Sequence, residues 1–392
     1  MAKRWFTCTP VAFGGGPDFF ARDSGLLSCG LREIGVESMA VMPGPRMPDD
    51  EPGLIRTEYA NLESAEWWRS HGLDGVVLYA WGRPRFRKVA AAIREAGIFL
   101  VLNQDNGGVI SPLNGLGAWL TEQKILSGAG RVGGGWLRFF KMLAKDLSLG
   151  LALIDPLRAK HLSQGHVIAC VSPTAADHYR HLCRIYRLAG ADERIRVIPH
   201  SVNPVFDYNG EPKRREVVVI GRWNDPIQKR PGLMMAVVGE LVASDPEVCV
   251  RIVGGVIPEL EAWHGSLRER DRVGLLGRVE PTRISELLRG AQVSYCPSAF
   301  ESFHIASGEA LCSGCSVVAA RLQTLASFPW FCSEDSGSLA ASDDLRGHVG
   351  ALRAELDAWD GGGRDAGRIS EVWKSRLHAV EVAKLVIGLV DA

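Results

Sequence analysis

The sequence has no excess of charge of either sign and no long apolar run. Lys plus Arg and Asp plus Glu both number 45 in 392 residues. A general nucleic-acid binder needs an excess of positive charge to displace counterions, so we expect no nucleic-acid partner. No apolar stretch reaches the length that spans a bilayer, and the N-terminal segment MAKRWFTCTPVAF lacks the apolar core of a signal peptide. We expect a cytoplasmic protein, for which peripheral contact with the inner face of a membrane stays open.

Cysteines are present, but they lack the pattern of a disulfide framework or a metal site. There are nine of them at irregular spacing, which is typical of reduced thiols in a cytosolic protein. Cys312 and Cys315 form a CxxC pair that no second pair or histidine pair accompanies. We therefore interpret this pair as packing against a turn rather than as a metal or redox site.

Short apolar runs alternate with longer amphipathic runs along the whole chain, which predicts an α/β fold with parallel strands joined by helices. The predicted strands lie near residues 5–9, 36–41, 75–80, 98–103, 166–171, 195–199, 217–221, 248–253, 273–276, 292–296 and 316–320. The predicted helices include 18–34, 84–96, 230–243, 257–270, 281–289, 305–313 and 367–389.

The polar, turn-rich stretch 203–216 is the best candidate for a linker. We predict an N-terminal Rossmann-like domain over 1–203 and a C-terminal one over 204–366. Two parallel sheets joined in this way predict a deep cleft faced by the C-terminal ends of their strands. The last stretch, 367–392, is predicted to be helical and able to dock back on the N-terminal domain.

The segment 292–320 reads strand, loop, helix, glycine, strand, and it carries two carboxylates. Glu301 lies in the loop and Glu309 in the helix. A helix N-terminus presents free N–H groups to a phosphate, and carboxylates accept hydrogen bonds from hydroxyls. This combination suits a sugar nucleotide. The alternative is a capped helix whose acids complement its dipole, and spacing alone favours that alternative.

Two basic residues flank the loop after the first strand of the second half. Arg222 lies at the end of that strand and Lys229 at the start of the next helix. A guanidinium fork and an ammonium point charge can clamp a diphosphate. The alternative is a solvated basic turn, about as well supported if the element stood alone.

Together these elements resemble the retaining glycosyltransferases of family 4, the glycosyl transferases group 1 with the GT-B fold. The matching positions are Gly221-Arg222, Lys229, Gly277-Arg278-Val279, the Glu-x₇-Glu pair Glu301 and Glu309, and the segment 196–203 before the linker. The resemblance is strong over 166–320 and weaker over 1–165.

The resemblance implies transfer of a sugar from a nucleotide diphosphate sugar to an acceptor hydroxyl, with retention of configuration, in glycan or glycoconjugate biosynthesis. Arg222 and Lys229 would bind the diphosphate and act in catalysis, Glu309 would hold the ribose, and the stretch near Val279 would meet the base. Glu301 would act in catalysis and, together with the backbone of Phe303, His304, Ile305 and Ala306, would hold the donor sugar. The resemblance also implies that the N-terminal domain binds the acceptor and the C-terminal domain binds the donor. No metal or other cofactor is implied, because basic residues and a helix dipole supply the positive charge, and no Asp-x-Asp pair occupies a convincing position.

The N-terminal half carries a glycine run and departs from the family at one motif. Gly15 and Gly16 follow the first strand and would let the backbone approach a phosphate or sugar of the donor; the alternative is a plain strand-to-helix turn. The family often has His-Asp where this chain has Gln104-Asp105. Asp105 is a catalytic candidate able to orient a hydroxyl, whereas Gln104 cannot act as an acid or a base.

Other readings stay open at this point. An apolar stripe over 136–147 with interspersed cations is compatible with a membrane surface near a lipid-linked acceptor, although packing on its own domain is favoured. Glycan and small-molecule acceptors are equally compatible. The activity has two rivals: a sugar-nucleotide epimerase, and a non-catalytic nucleotide- or glycan-binding relic of the fold.

Overall fold

The computed structural model describes residues 3–130 and 133–390. The chain divides into two compact units: unit 1 comprises Met1–Asn203 with Leu377–Ala392, and unit 2 comprises Pro204–Arg376. Among the described residues, no helix is long and apolar enough to cross a membrane. All nine cysteines are free thiols.

Unit 1 is built on a seven-stranded parallel sheet with the strand order β3-β2-β1-β4-β5-β6-β7. Its strands are β1 Arg4–Cys8, β2 Glu37–Pro43, β3 Leu54–Thr57, β4 Gly75–Tyr79, β5 Phe99–Gln104, β6 Val167–Cys170 and β7 Ile195–Val197. Its first helices are α1 Pro17–Phe20, α2 Asp23–Glu33, α3 Tyr59–Leu62, α4 Ala65–Arg69 and α5 Arg87–Glu95. They are followed by α6 Leu116–Ser127, α7 Gly135–Lys145, a π-helical segment Asp146–Ile154, α8 Asp155–Leu162, α9 Pro173–Ile185 and α10 Ala191–Arg194.

Unit 2 is built on a six-stranded parallel sheet with the order β10-β9-β8-β11-β12-β13. Its strands are β8 Arg214–Ile220, β9 Cys249–Val253, β10 Val273–Gly277, β11 Ala291–Cys296, β12 Ser316–Ala320 and β13 Gly337–Ala340. Its helices are α11 Pro231–Ser244, α12 Pro258–Ser266, α13 Pro281–Gly290, α14 Ile305–Cys312, α15 Phe328–Phe331, α16 Leu345–Asp360 and α17 Ala366–Leu377, and α18 Ala379–Gly388 follows in unit 1. The prediction of an α/β fold with two Rossmann-like domains built on parallel sheets is confirmed.

Strands β3 and β13 and helix α16 are among the elements that the sequence pattern did not predict. Strand β3 is a short edge strand whose residues are all half-buried, and β13 at an edge of the other sheet contains glycine and serine. Each of these strands has only four residues and no alternation between buried and exposed positions, so neither gives the period-two signal of a half-buried strand. The 16-residue helix α16 lies in a stretch without a predicted element.

The predicted single helix over 367–389 is wrong, because two helices meet there. His378 separates α17 from α18 and adopts an extended backbone. It forms a parallel bridge with Val202, in which the Val202 N–H donates to the Leu377 carbonyl (2.7 Å) and the Ala379 N–H donates to the Val202 carbonyl (3.1 Å). These non-local bonds replace the helical ones at the break. The helix predicted over 18–34 is likewise divided, into α1 and α2.

Candidate functional site

The loops after β8 and β11 are tied together because the two strands are neighbours in the sheet of unit 2. The Ala299 N–H donates to the Gln228 carbonyl (2.8 Å), and the Gln228 side chain donates to the Phe300 carbonyl (3.2 Å). The buried Arg230 guanidinium donates to the carbonyls of Pro297 (2.5 Å) and Ser298 (3.2 Å). The residues that follow the two strands are therefore held close to one another.

A buried ion pair joins the two loops. The Lys229 ammonium donates to Glu301 Oε1, and these side chains are only 10% and 9% exposed. Burial alone would raise the pKa of Glu301, but the adjacent His304 and Lys229 side chains outweigh it and hold this pKa below its usual value. The site therefore presents an ionised carboxylate and an ammonium in a poorly solvated place, where charges act strongly on a ligand.

Helix α14 starts at this ion pair. His304 precedes it with a left-handed backbone (φ +60°), and its Nδ1 lies 2.8 Å from the Ser307 hydroxyl. Burial and, to a smaller extent, the Lys229 charge lower the pKa of His304 to about 4, so the ring is neutral at pH 7. Ile305 and Ala306 are the first helical residues, and N–H groups at this position have no acceptor within the helix. An anion can be bound there.

One group of potential metal ligands lies in the described part of the chain. Donor atoms of Cys296, Glu301 and His304 all lie within 4.8 Å of one another. However, the Lys229 ammonium already pairs with the Glu301 carboxylate, and burial raises the pKa of Cys296 to about 11, which keeps it a neutral thiol at pH 7. The Lys229 ammonium therefore supplies, next to Glu301, the positive charge that a metal ion would supply.

The other predicted donor residues differ in their exposure and in their position in unit 2. Arg222 is 72% exposed and contacts Gln228 (3.1 Å), so its guanidinium can reorient toward a ligand. Glu309 is half-buried in α14, and Phe303 is buried against Phe331 at a ring distance of 5.1 Å. Val279 lies in the loop between β10 and α13, and β10 is the outermost strand of the sheet.

Unit 1 contains a separate pocket of about 620 Å³ near the start of α1. Its lining residues are Thr9, Phe13, Gly14, Gly16, Pro17, Asp18, Phe19, Arg22, Ser24, Asp49, Tyr79, Trp81 and Asp105. Gly16 belongs to this wall, but Gly15 is buried under the neighbouring loop. A Cβ atom on Gly15 would come within 2.2 Å of Asp50 and 2.3 Å of Leu54, so its lack of a side chain has a packing reason.

Asp105 is held at this pocket by two donors. His200 Nε2 lies 2.6 Å from one carboxylate oxygen, and the Trp81 indole N–H donates to the other (2.8 Å). Burial alone would raise the pKa of Asp105, but the charge and hydrogen bond of His200 and the Trp81 bond outweigh it and lower the pKa. The neighbouring Gln104 is buried and donates to the Leu102 carbonyl (3.3 Å).

Sequence reasoning missed the role of His200. It follows β7, whereas Asp105 follows β5, with β6 between these strands in the sheet. A His–Asp pair thus forms from two separate segments, although the chain lacks a contiguous His-Asp motif. The signal that could have revealed it is the position of both residues directly after predicted strands of one parallel sheet.

Residues 214–354 match the family model described as glycosyl transferases group 1. Over 158 residues the chain is 34% identical to the phosphatidyl-myo-inositol mannosyltransferase of Mycolicibacterium smegmatis, a match that covers 39% of each chain. Over 273 residues it is 28% identical to the D-inositol 3-phosphate glycosyltransferase 2 of Catenulispora acidiphila, covering 63% of this chain and 61% of that one. The chain thus matches less than two thirds of the length of these relatives.

The fold is similar to solved structures over nearly the full length. The Anabaena protein HepE, crystallised with UDP and glucose, superimposes with a TM-score of 0.63 at 13% sequence identity, covering 99% of both chains. At this level of identity the likeness establishes the arrangement of strands and helices alone.

Proposed function

We propose that this protein, whose residues 214–354 match the family model of glycosyl transferases group 1, transfers a sugar from a nucleotide diphosphate sugar to an acceptor hydroxyl with retention of configuration. The observation that carries the proposal is the buried Lys229–Glu301 pair at the start of α14. It combines one positive charge, one hydroxyl-binding carboxylate and a helix N-terminus, which are the groups that a phosphorylated sugar needs.

In this proposal unit 2 binds the donor. Arg222 and Lys229 bind the diphosphate and stabilise the charge that develops on the leaving nucleotide. Glu301 and the backbone from Phe303 to Ala306 bind the sugar. Glu309 holds the ribose, and the stretch at Val279 meets the base.

The proposed site needs no metal. The Lys229 ammonium supplies positive charge within hydrogen-bond distance of Glu301, and the start of α14 adds the partial positive charge of its free N–H groups. These two sources take over the electrostatic task that a divalent cation has in other transferases.

Unit 1 is proposed to bind the acceptor in the pocket beside Asp105. Several hydroxyl and carboxylate side chains line this pocket, so it suits a polyol such as a glycan, a lipid-linked sugar or a small molecule. Asp105, fixed by His200 and Trp81, orients a hydroxyl of the reacting sugars. Gly16 contributes a backbone wall that a sugar can approach, and Gly15 supports the fold of the same segment. The proposed location is the cytoplasm, in a pathway of glycan or glycoconjugate synthesis.

The first experiment is a thermal-shift screen with UDP-, GDP-, ADP- and TDP-sugars, each beside its free nucleotide diphosphate. We expect stabilisation by one nucleotide, loss of this shift in Glu309→Ala and Arg222→Ala, and no loss in the control Glu286→Ala. Glu286 is an exposed acid of α13 that pairs only with Arg283 among the contacts described. A lack of response to every nucleotide would contradict the proposal.

Turnover separates the rivals. A transferase releases nucleotide diphosphate only with an acceptor or with water, and nuclear magnetic resonance of the product reports the retained anomeric configuration. An epimerase converts the donor sugar without any acceptor, and a binding relic gives a thermal shift without release of nucleotide.

A further inference from the structure

The chain between β5 and β6 carries a concentration of exposed apolar side chains. Of the twenty exposed large apolar side chains in the described residues, eleven lie within residues 113–154. The members of this group are Leu113, Leu116, Leu120, Leu126, Trp136, Leu137, Phe140, Leu147, Leu149, Leu153 and Ile154. Single exposed apolar residues are ordinary, but a contiguous set marks a surface that binds something.

The apolar stripe of α7 does not pack on its own unit along its whole width. Trp136 and Phe140 are 49% and 60% exposed, and Leu147 in the π-helical segment is 51% exposed. Only Phe139 and Leu143 of the stripe are half-buried. One side of the helix is therefore anchored, and the adjacent side presents large apolar groups to the surroundings.

Cations occupy the polar face of the same helix. Arg138, Lys141 and Lys145 are all exposed on α7, and at helical spacing they lie on the side opposite Trp136 and Phe140. The Lys124 ammonium lies 5.8 Å from the centre of the Trp136 ring. An apolar face opposite a polar face rich in lysine and arginine is the arrangement of helices that lie in the interface of a membrane.

The acids of this region add little opposing charge. Residues 116–154 contain two acids and five Lys or Arg. Burial raises the pKa of Glu122 to about 7, and burial also raises the pKa of Asp146. The region therefore keeps its positive charge near an anionic surface.

We propose that α7 and the π-helical segment, residues 135–154, dock on the surface of an anionic lipid bilayer. Trp136, Phe140 and Leu147 enter the interface while Arg138, Lys141 and Lys145 bind lipid headgroups. A second copy of the chain fits less well, because it would bring a surface of the same positive charge. A bilayer with anionic lipids complements both the apolar groups and the cations. The inference is independent of the proposed transferase activity.

The test is cosedimentation of the full chain with vesicles of phosphatidylcholine and phosphatidylglycerol in equal parts, compared with vesicles of phosphatidylcholine alone. We expect binding to the anionic vesicles that weakens in high salt. Trp136→Glu/Phe140→Glu should abolish binding, whereas Ile185→Glu and Leu385→Glu should leave it unchanged. These controls replace apolar residues of unit 1 that are 41% and 44% exposed but lie on α9 and α18.

A second set of variants keeps the test valid if the apolar substitutions disturb folding. Lys141→Gln and Lys145→Gln alter exposed cations only, and each should weaken the partition to anionic vesicles by about fivefold. The donor-induced thermal shift of all variants should equal that of the parent chain, which separates this inference from the proposed function. Absence of vesicle binding overturns the inference, as does a dimer of the parent chain that Trp136→Glu/Phe140→Glu dissociates while vesicle binding persists.

Discussion

Removal of the Lys229 ammonium should destabilise unit 2 through the carboxylate that it leaves behind. In Lys229→Met, Glu301 stays nine-tenths buried but loses its ionic partner. Breaking a buried pair costs about 3–5 kcal/mol, and the residual exposure of both side chains favours the lower end. For a unit of this size each kcal/mol lowers the melting temperature by about 2–4 °C, so we expect a fall of roughly 6–12 °C.

The double variant Lys229→Met/Glu301→Leu tests whether the pair itself is the cause. Without either charge, the free energy of unfolding should return to within about 1 kcal/mol of the parent, because buried ion pairs are replaceable by apolar groups. Calorimetry of the parent, both single variants and the double variant gives the coupling energy. Additive effects, with a coupling below about 0.5 kcal/mol, would refute the reasoning. Arg222→Ala is the control, since this exposed side chain should change stability by less than about 0.5 kcal/mol.

The pH dependence gives a second check on the same pair. In Lys229→Met, burial without a cation should raise the pKa of Glu301 above its unfolded value. A carboxyl with a raised pKa stabilises the fold at low pH, and this contribution is lost as pH rises through the folded pKa. The variant should therefore be closest to the parent in stability near pH 5 and fall further behind by pH 8. A gap that does not widen with pH would contradict the assignment of the loss to Glu301.

Three further predictions concern His161, Gly15 and the Asp105–His200 pair. Burial lowers the pKa of His161 to about 4, so the fold loses stability as pH falls below the unfolded pKa of about 6.5, where only the unfolded state binds the proton. Relative to the parent, the unfolding free energy of His161→Leu from urea titration should therefore rise by about 2 kcal/mol between pH 7.5 and pH 5. A difference that does not change with pH would show that His161 is not the cause of this pH dependence. Gly15→Ala should lower the unfolding free energy measured by calorimetry by about 1–3 kcal/mol, because the new Cβ atom would collide with Asp50. The control Gly14→Ala should leave the unfolding free energy unchanged, because no atom lies within 4 Å of its Cβ position. Equal effects of the two substitutions would contradict the packing argument. Asp105→Asn and His200→Gln should each lower the rate of nucleotide diphosphate release by about 100-fold and leave the donor-induced thermal shift unchanged. Loss of that thermal shift would instead assign the Asp105–His200 pair to donor binding.

The sequence by itself determined the α/β class, most of the strands and the segment that carries the candidate donor residues. These follow from local periodicity and from short spacings, such as the strand, loop and helix over 292–320, because every second residue of a strand, and residues about one turn apart on a helix, share a face. Local periodicity did not predict the edge strand β13 or helix α16, because their patterns are weak. It also did not predict the break at His378, whose extended backbone depends on the bridge with Val202.

Only the tertiary structure decided which side chains meet and which stay exposed. Lys229 and Glu301 are 72 residues apart, and Asp105 and His200 are 95 residues apart. Sequence spacing carries no information about such contacts, whereas adjacent or nearby parallel strands bring the residues at their C-terminal ends to one edge. The exposure of Trp136 and Phe140 was undecided for the same reason, because an apolar stripe has the same pattern whether its own unit or another surface covers it.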